Sequence, residues 1–226
     1  MKFLKAILLS SFCILNGSYT EDTILDLVSQ YISADPIIIE AGAWNGADTL
    51  KISKQWPLGH IYSFEPLIDS YQTVKAVTEY CNNVQLFNMA LHSYSGVASF
   101  YVSEANSGAS SLLAPNLSLV SHLQFTTSPI QVACVNLDEW MVNNNIDHVD
   151  FMWLDMEGAE LQMLKASPQA MAKVTAVYIE LNCKEFRYGT PLYHEVKHWF
   201  QAQGFVQKWV DINLEWQGNG LFVRLP

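Results

Sequence analysis

Three short apolar runs each end on an acid. Ile37 to Ile39 leads to Glu40, Ile61 to Phe64 leads to Glu65, and Phe151 to Leu154 leads to Asp155. Glycines follow two of these acids: Gly42 and Gly46 come after Glu40, and Gly158 after Asp155. A glycine lets the backbone pass close to a ligand, because no Cβ stands in the way. Open α/β sheets bind ligands at the C-terminal ends of their strands. An acid there, as at Glu40, suits a ligand with an ammonium group and hydroxyls. Glu65 follows Glu40 by 25 positions. A strand-end acid near that separation accepts hydrogen bonds from a ribose diol. The alternative for Glu65 is a solvated carboxylate ahead of Pro66. Gly42 and Gly46 do not give the GxGxxG spacing that packs a diphosphate onto a helix, which argues against NAD.

The segment VDFMWLDMEGAELQMLK, residues 149–165, concentrates carboxylates at Asp155, Glu157 and Glu160. The dipole of a helix N-terminus accounts for one acid in its first turn, as for Glu160. Three within six positions exceed that need. They could take a proton, bind a cation or hold a cofactor. Asp155 and Glu157 are the first candidates for a general base, and Glu180, near the end of a later strand, is the third. A divalent cation on two or three of these oxygens is the less favoured role. No His or Asn stands at a spacing that singles it out, so no metal ligand is assigned.

The elements that must position these residues alternate. Strands are predicted over 37–41, 60–64, 84–88, 97–102, 130–135, 150–154 and 174–181. Helices are predicted over 21–32, 47–55, 68–80, 137–144, 158–165 and 192–203. Thr20 is the expected cap of the first helix and Asn136 of the helix at 137. Phe205 to Val210 and Leu221 to Leu225 are expected to pair around a turn at Gly218-Asn219-Gly220. Ser103 to Pro129, rich in Ser, Asn, Ala and Pro, reads as a long excursion over the active site. Strand–helix alternation of this kind predicts a mostly parallel, doubly wound α/β sheet in one domain over 21–226.

The wording of these segments resembles the FkbM family of S-adenosylmethionine-dependent methyltransferases. The matching stretches are IIIEAGAWNGADT, IYSFEPLIDSY, VQLFNMALHSYSGVASFYV, SGASSLL, VACVNLDEW, VDFMWLDMEGAELQMLK and VYIELN, collinear over roughly residues 36–182. The resemblance implies a seven-stranded class I methyltransferase sheet of Rossmann-like build. It also implies O-methylation of a hydroxyl on a sugar or small natural product. Glu40, Gly42, Ala43 and Gly46 match the first cofactor motif, and Glu65 with Pro66 the ribose-binding segment. Met89-Ala90 matches the segment beside adenine, and Asp155, Glu157 and Glu160 the D-x-EG-x-E motif. The chain departs from the family pattern with Glu40 in place of Asp and Trp44 in place of Asn.

The bulk numbers limit the partners. Of 226 residues, 50% are apolar and 12% aromatic, so the chain folds around a sizeable core. A formal net charge of -10, with no run of Lys and Arg, disfavours nucleic acid and an anionic membrane as partners; the acceptor that the resemblance implies is a small molecule or glycan. No CxxC pair or zinc spacing occurs among the four cysteines. Residues 1–20 place Lys2 and Lys5 before the apolar run Ala6 to Leu15, the layout of a secretory signal peptide. That run is too short for a membrane span. The protein is exported if this segment is a cleaved signal, and cytoplasmic if it is an N-terminal helix. Export would take the chain away from the compartment that makes S-adenosylmethionine. The alternative function is therefore a non-catalytic or export-adapted nucleoside- or cofactor-binding protein on the same fold.

Overall fold

The structure, a computed structural model, describes residues 21–225; the N-terminal segment and the expected Thr20 cap lie outside the described residues. The strands are β1 (Ile37–Ala41), β2 (His60–Phe64), β3 (Val84–Phe87), β4 (Ala90–His92), β5 (Gly96–Phe100), β6 (Ile130–Asn136), β7 (Val149–Leu154), β8 (Val174–Asn182), β9 (Phe205–Ile212) and β10 (Gln217–Arg224). Seven of them form one sheet in the order β3-β2-β1-β7-β8-β10-β9. Its first five strands run parallel, and β10 is antiparallel to both neighbours. This is the doubly wound, seven-stranded arrangement that the sequence implies.

Parallel strands covered on both faces read as continuous apolar runs, and β1, β7 and β8 do so. On one face Ile39, Leu154, Val177 and Ile179 pack into the larger core with α5 (Leu137–Asn143), α6 (Glu160–Lys165), α7 (Pro168–Met171) and α8 (Tyr193–Ala202). On the other, Ile38, Phe151, Trp153 and Tyr178 meet α1 (Glu21–Val28) and α2 (Ala47–Gln55). Asn136 caps α5 as expected, its side-chain oxygen accepting from the Glu139 N–H at 3.3 Å. Among the described residues no helix is long and apolar enough to cross a membrane.

A small second sheet, β4-β6-β5, flanks the first. β5 and β6 pair antiparallel from Gly96↔Cys134 to Phe100↔Ile130. The excursion 103–129 thus leaves and re-enters through one ladder. It contains α4 (Leu117–Val120) and two single 3₁₀ turns.

Two local readings need correction. The β9–β10 turn is at 213–216, closed by Trp216 N–H to Asn213 O at 2.8 Å, and the Gly218-Asn219-Gly220 run lies inside β10. Helix α6 starts at Glu160 rather than Gly158, because Glu157 (φ 56°) and Gly158 (φ 97°) are both left-handed and cannot begin an α-helix.

Candidate active site

The strand order of the main sheet reverses at β1: β2 lies on one side and β7 on the other. A cleft enclosing about 710 Å³ opens at the C-terminal ends of these strands. Its floor is the turn after β1. Gly42 there has φ 90°, and its N–H bonds Phe64 O at 3.0 Å. A Cβ on Gly42 would stand 1.8 Å from the Asp155 carbonyl oxygen. Only glycine lets the end of β1 lie this close to the end of β7.

Glu65 lines the cleft, although only 5% of it is exposed. Its Oε2 accepts from the Trp44 N–H and its Oε1 from the Leu67 N–H, both at 2.8 Å. Burial raises its pKa, and those two backbone donors oppose the rise. Each oxygen retains a lone pair, so two hydroxyls of a ligand can still donate to it. Pro66, Ala90, Leu91, Phe100 and Leu112 make an apolar wall beside it, suited to a flat heterocycle. Asp48 and Asp155 also line the cleft, and among the described residues no Lys, Arg or His does.

Behind Asp155 lies a cluster of acids. Carboxylate oxygens of Asp155, Glu157 and Glu180 lie within 4.8 Å of one another. The Asp155 side chain opens to the cleft, but the cleft is deep. Loss of solvent there, followed by the charges of Glu180 and Glu160, pushes its pKa well above the ordinary value. Burial likewise raises Glu180, whose Oε1 accepts from Gln217 Nε2 at 2.6 Å and whose Oε2 accepts from Asn182 Nδ2 at 3.2 Å. Glu157 is raised by burial and held down by Arg187, whose Nη2 lies 2.6 Å from its Oε2. Glu160 accepts at one oxygen from the Met156 N–H (2.7 Å) and the Gly158 N–H (3.3 Å), which fixes the turn carrying Glu157. Such a group of oxygens can accept a proton or hold a hard cation.

Of the residues singled out in the sequence, Gly42, Ala43, Glu65, Pro66, Ala90 and Asp155 line the cleft together. Glu157 and Glu180 join them from behind, through Asp155. Four do not line it, Glu160 of the acid cluster among them. Glu40 sits under the floor, 1% exposed, with its Oε2 accepting from Thr49 Oγ1 (2.7 Å) and Ser63 Oγ (2.6 Å). Its Oε1 has no partner, and burial pushes its pKa up to about 7. Gly46, with φ 77°, packs against Val74 of the helix α3 (Ile68–Val77), where a Cβ would lie 3.1 Å from the Val74 Cα. Met89 packs on the larger core.

Trp44, noted in the sequence as a departure from the family pattern, and Arg187, which the sequence reading passes over, both hold the site together. Trp44, left-handed at φ 45°, donates its Nε1–H to Ser107 Oγ at 3.0 Å and lays its indole against Gly108. It clasps the excursion to the cleft. Arg187, 2% exposed, also bonds Ala109 O at 2.6 Å and so ties the segment after β8 to the excursion. The sequence clue was a lone arginine in Phe186-Arg187-Tyr188, where an apolar setting demands an acidic partner.

Comparison with known proteins agrees with this geometry. The model of the "Methyltransferase FkbM domain" matches residues 40–206. The 2-O-methyltransferase NoeI of Sinorhizobium fredii is 24% identical over 171 residues, which is 72% of this chain and 70% of that protein. Among solved structures, the fold is similar to an Aeropyrum pernix fibrillarin with natively bound S-adenosyl-L-methionine. That match has a TM-score of 0.51 and 11% identity, and covers 89% of this chain and 74% of that one. An rRNA methylase from Streptococcus thermophilus gives a TM-score of 0.51 at 11% identity, over 90% and 95% of the two chains. The sheet is therefore that of a class I methyltransferase, and the chain belongs to the FkbM methyltransferase domain family.

Proposed function

We propose that the protein is an S-adenosylmethionine-dependent O-methyltransferase whose acceptor is a hydroxyl of a sugar or small natural product. The observation that carries this reading is the charge of the cleft. Asp48, Glu65 and Asp155 line it without any basic side chain among the described residues, which suits a nucleoside bearing cationic groups and disfavours a dinucleotide with a diphosphate. The relation to a 2-O-methyltransferase supports a hydroxyl as acceptor, and a net charge of -10 favours a neutral small molecule or glycan over nucleic acid.

The residues present fit that cofactor. Gly42 lets the end of β1 close against the Asp155 backbone, which brings Glu65 and Asp155 into one cleft. Glu65 offers two acceptors for the ribose diol, and the wall of Ala90, Leu91, Phe100 and Leu112 takes adenine. S-adenosylmethionine, when bound, supplies an activated methyl group on a sulfonium. The protein aligns the acceptor oxygen and excludes water. Asp155 reaches the cleft and shares charge with Glu157 and Glu180, so it takes the hydroxyl proton as the methyl–oxygen bond forms. Its raised pKa makes it a stronger proton acceptor than an ordinary aspartate. Arg187 and Glu157 balance the site behind it.

The test is calorimetric titration with S-adenosylmethionine and with NAD, followed by methyl transfer to a panel of neutral glycosides and phenols. Saturable binding of S-adenosylmethionine alone and transfer to a hydroxyl are expected. Saturable binding of NAD alone overturns the assignment.

A further inference from the structure

A second cleft lies beside the acid cluster on the same sheet. It holds about 660 Å³ and is lined by Ile24 of α1 and by Tyr178, Trp209, Asp211, Asn213, Gln217 and Asn219, with no basic residue in its lining among the described residues. Its base is aromatic. Trp209 stacks on Tyr178 with centroids 6.2 Å apart, and Tyr178 stacks on Trp153 at 4.1 Å. Its rim is polar, from β10 and the turn before it.

The two clefts share no lining residue and lie on either side of the acid cluster. Tyr178 and Glu180 are two apart on β8 and share a face of the sheet. Asn219 is the cross-strand partner of Glu180. Gln217, in the wall of the second cleft, donates to Glu180 Oε1 at 2.6 Å. Glu180 oxygen lies within 4.8 Å of an Asp155 oxygen, and Asp155 lines the cofactor cleft. One side of the acid cluster thus faces the cofactor and the other faces Trp209.

The lining selects a ligand chemistry. A wholly apolar ligand would bury Asp211, Asn213 and Asn219 without partners, which is unfavourable. An anionic one would meet Asp211 with no compensating cation. A neutral pyranose satisfies both surfaces, its C–H face on the indole and its hydroxyls on amides and a carboxylate. Asp155 does not line this cleft, so the cleft does not hold the reacting unit itself, which must reach Asp155. Resting on the methyltransferase reading above, we propose that this cleft binds the neutral sugar unit adjoining the one that is methylated, so that the acceptor is an oligosaccharide.

The experiment compares a methyl glycoside with the neutral di- and trisaccharides built from it, using the full chain and a measured S-adenosylmethionine affinity for every variant. The oligosaccharides should show a KM lower by about tenfold, a factor typical of one added stacking contact. Trp209→Ala, or Asp211→Ala with Asn213→Ala should the first fail to fold, should collapse that ratio toward one, and Trp209→Phe should restore part of it. Retained cofactor affinity in the variants confirms an intact fold. Equal use of short and long acceptors by the unsubstituted protein overturns the subsite, as does a ratio that survives both variants. Transfer to no saccharide also overturns it while leaving the cofactor reading intact. Failure to bind S-adenosylmethionine at all overturns the methyltransferase reading and the subsite with it.

Discussion

The Asp155 carbonyl oxygen occupies the space that a Cβ on Gly42 would need, 1.8 Å from its ideal position. The ends of β1 and β7 are therefore locked at one separation by the lack of a side chain. Gly42→Ala must push them apart and also hold alanine at φ 90°. Overpacking of this kind costs about 1–3 kcal/mol, or roughly 2–12 °C in Tm for a chain this long. Cofactor affinity should fall at least about tenfold with it. Thermal melts and calorimetry check both, and an unchanged pair of values would mean that the cleft floor is not built by this contact.

Glu65 holds two backbone N–H groups and offers its remaining lone pairs to the ligand. Glu65→Gln has a single side-chain oxygen and cannot serve both sets. S-adenosylmethionine affinity should drop by roughly tenfold to a hundredfold, the worth of one charge-assisted hydrogen bond. Calorimetric titration of the variant reads this directly, and an affinity within twofold of the original would return Glu65 to a purely structural role.

How much of this was legible in the sequence varies with the physics. The buried strands were plain, because β-branched and aromatic runs such as Ile37 to Ile39 have few other uses. The β9–β10 turn was misplaced because Gly218 and Gly220 were taken for turn formers. Their actual duty is close approach: a Cβ on Gly218 would lie 2.0 Å from Asp211 O, and one on Gly220 2.7 Å from Leu181 Cδ1. Sequence spacing does not separate these two uses of glycine. The acids Glu65 and Asp155 were found because they close strands. Glu40 closes one too, but the alternation of β1 turns it under the floor onto Thr49 and Ser63. Arg187 and Trp44 act across gaps of tens of residues, on Glu157 and Ser107, and no local pattern encodes such pairs.

The acids behind the cleft should respond unequally. Asp155→Asn removes the proton acceptor and should lower kcat by about 10²-fold or more. Glu160→Gln keeps the oxygen that accepts from Met156 and Gly158, so turnover should stay within about threefold. Glu160→Ala leaves those N–H groups unpaired and should cost about 1–3 kcal/mol in denaturant melts. Equal kinetic loss in Asp155→Asn and Glu160→Gln would remove Asp155 from the proton-transfer role.

Chelation separates a base from a cation. With proton transfer to Asp155, EDTA should leave turnover unchanged after extensive dialysis. Loss of turnover on chelation, with recovery on adding magnesium, would instead assign the oxygens of Asp155, Glu157 and Glu180 to a divalent ion.

Glu40 makes stability fall as pH rises. Its folded pKa is about 7 against an ordinary 4.5, chiefly from burial, so the folded state binds the extra proton between those values. Its contribution is fully present below about pH 4.5 and is lost as pH rises through about 7, to a total of about 3 kcal/mol. Asp155, Glu157 and Glu180 act in the same direction, so the difference between variants is the clean measure. Denaturant melts at pH 5 and 8 should show a smaller loss for Glu40→Gln than for the unsubstituted protein. Parallel losses would show that Glu40 is ionised throughout.

The indole of Trp44 leaves no room at position 108: a Cβ on Gly108 would lie 2.9 Å from its ring atoms. The two positions, 64 apart in sequence, are thereby sterically coupled. A lineage that replaces Trp44 with a smaller residue frees position 108 to acquire a side chain, whereas one that changes Gly108 first must pass through a lid that no longer seats. The order of these substitutions is constrained, so remodelling of the mouth of this cleft begins at Trp44.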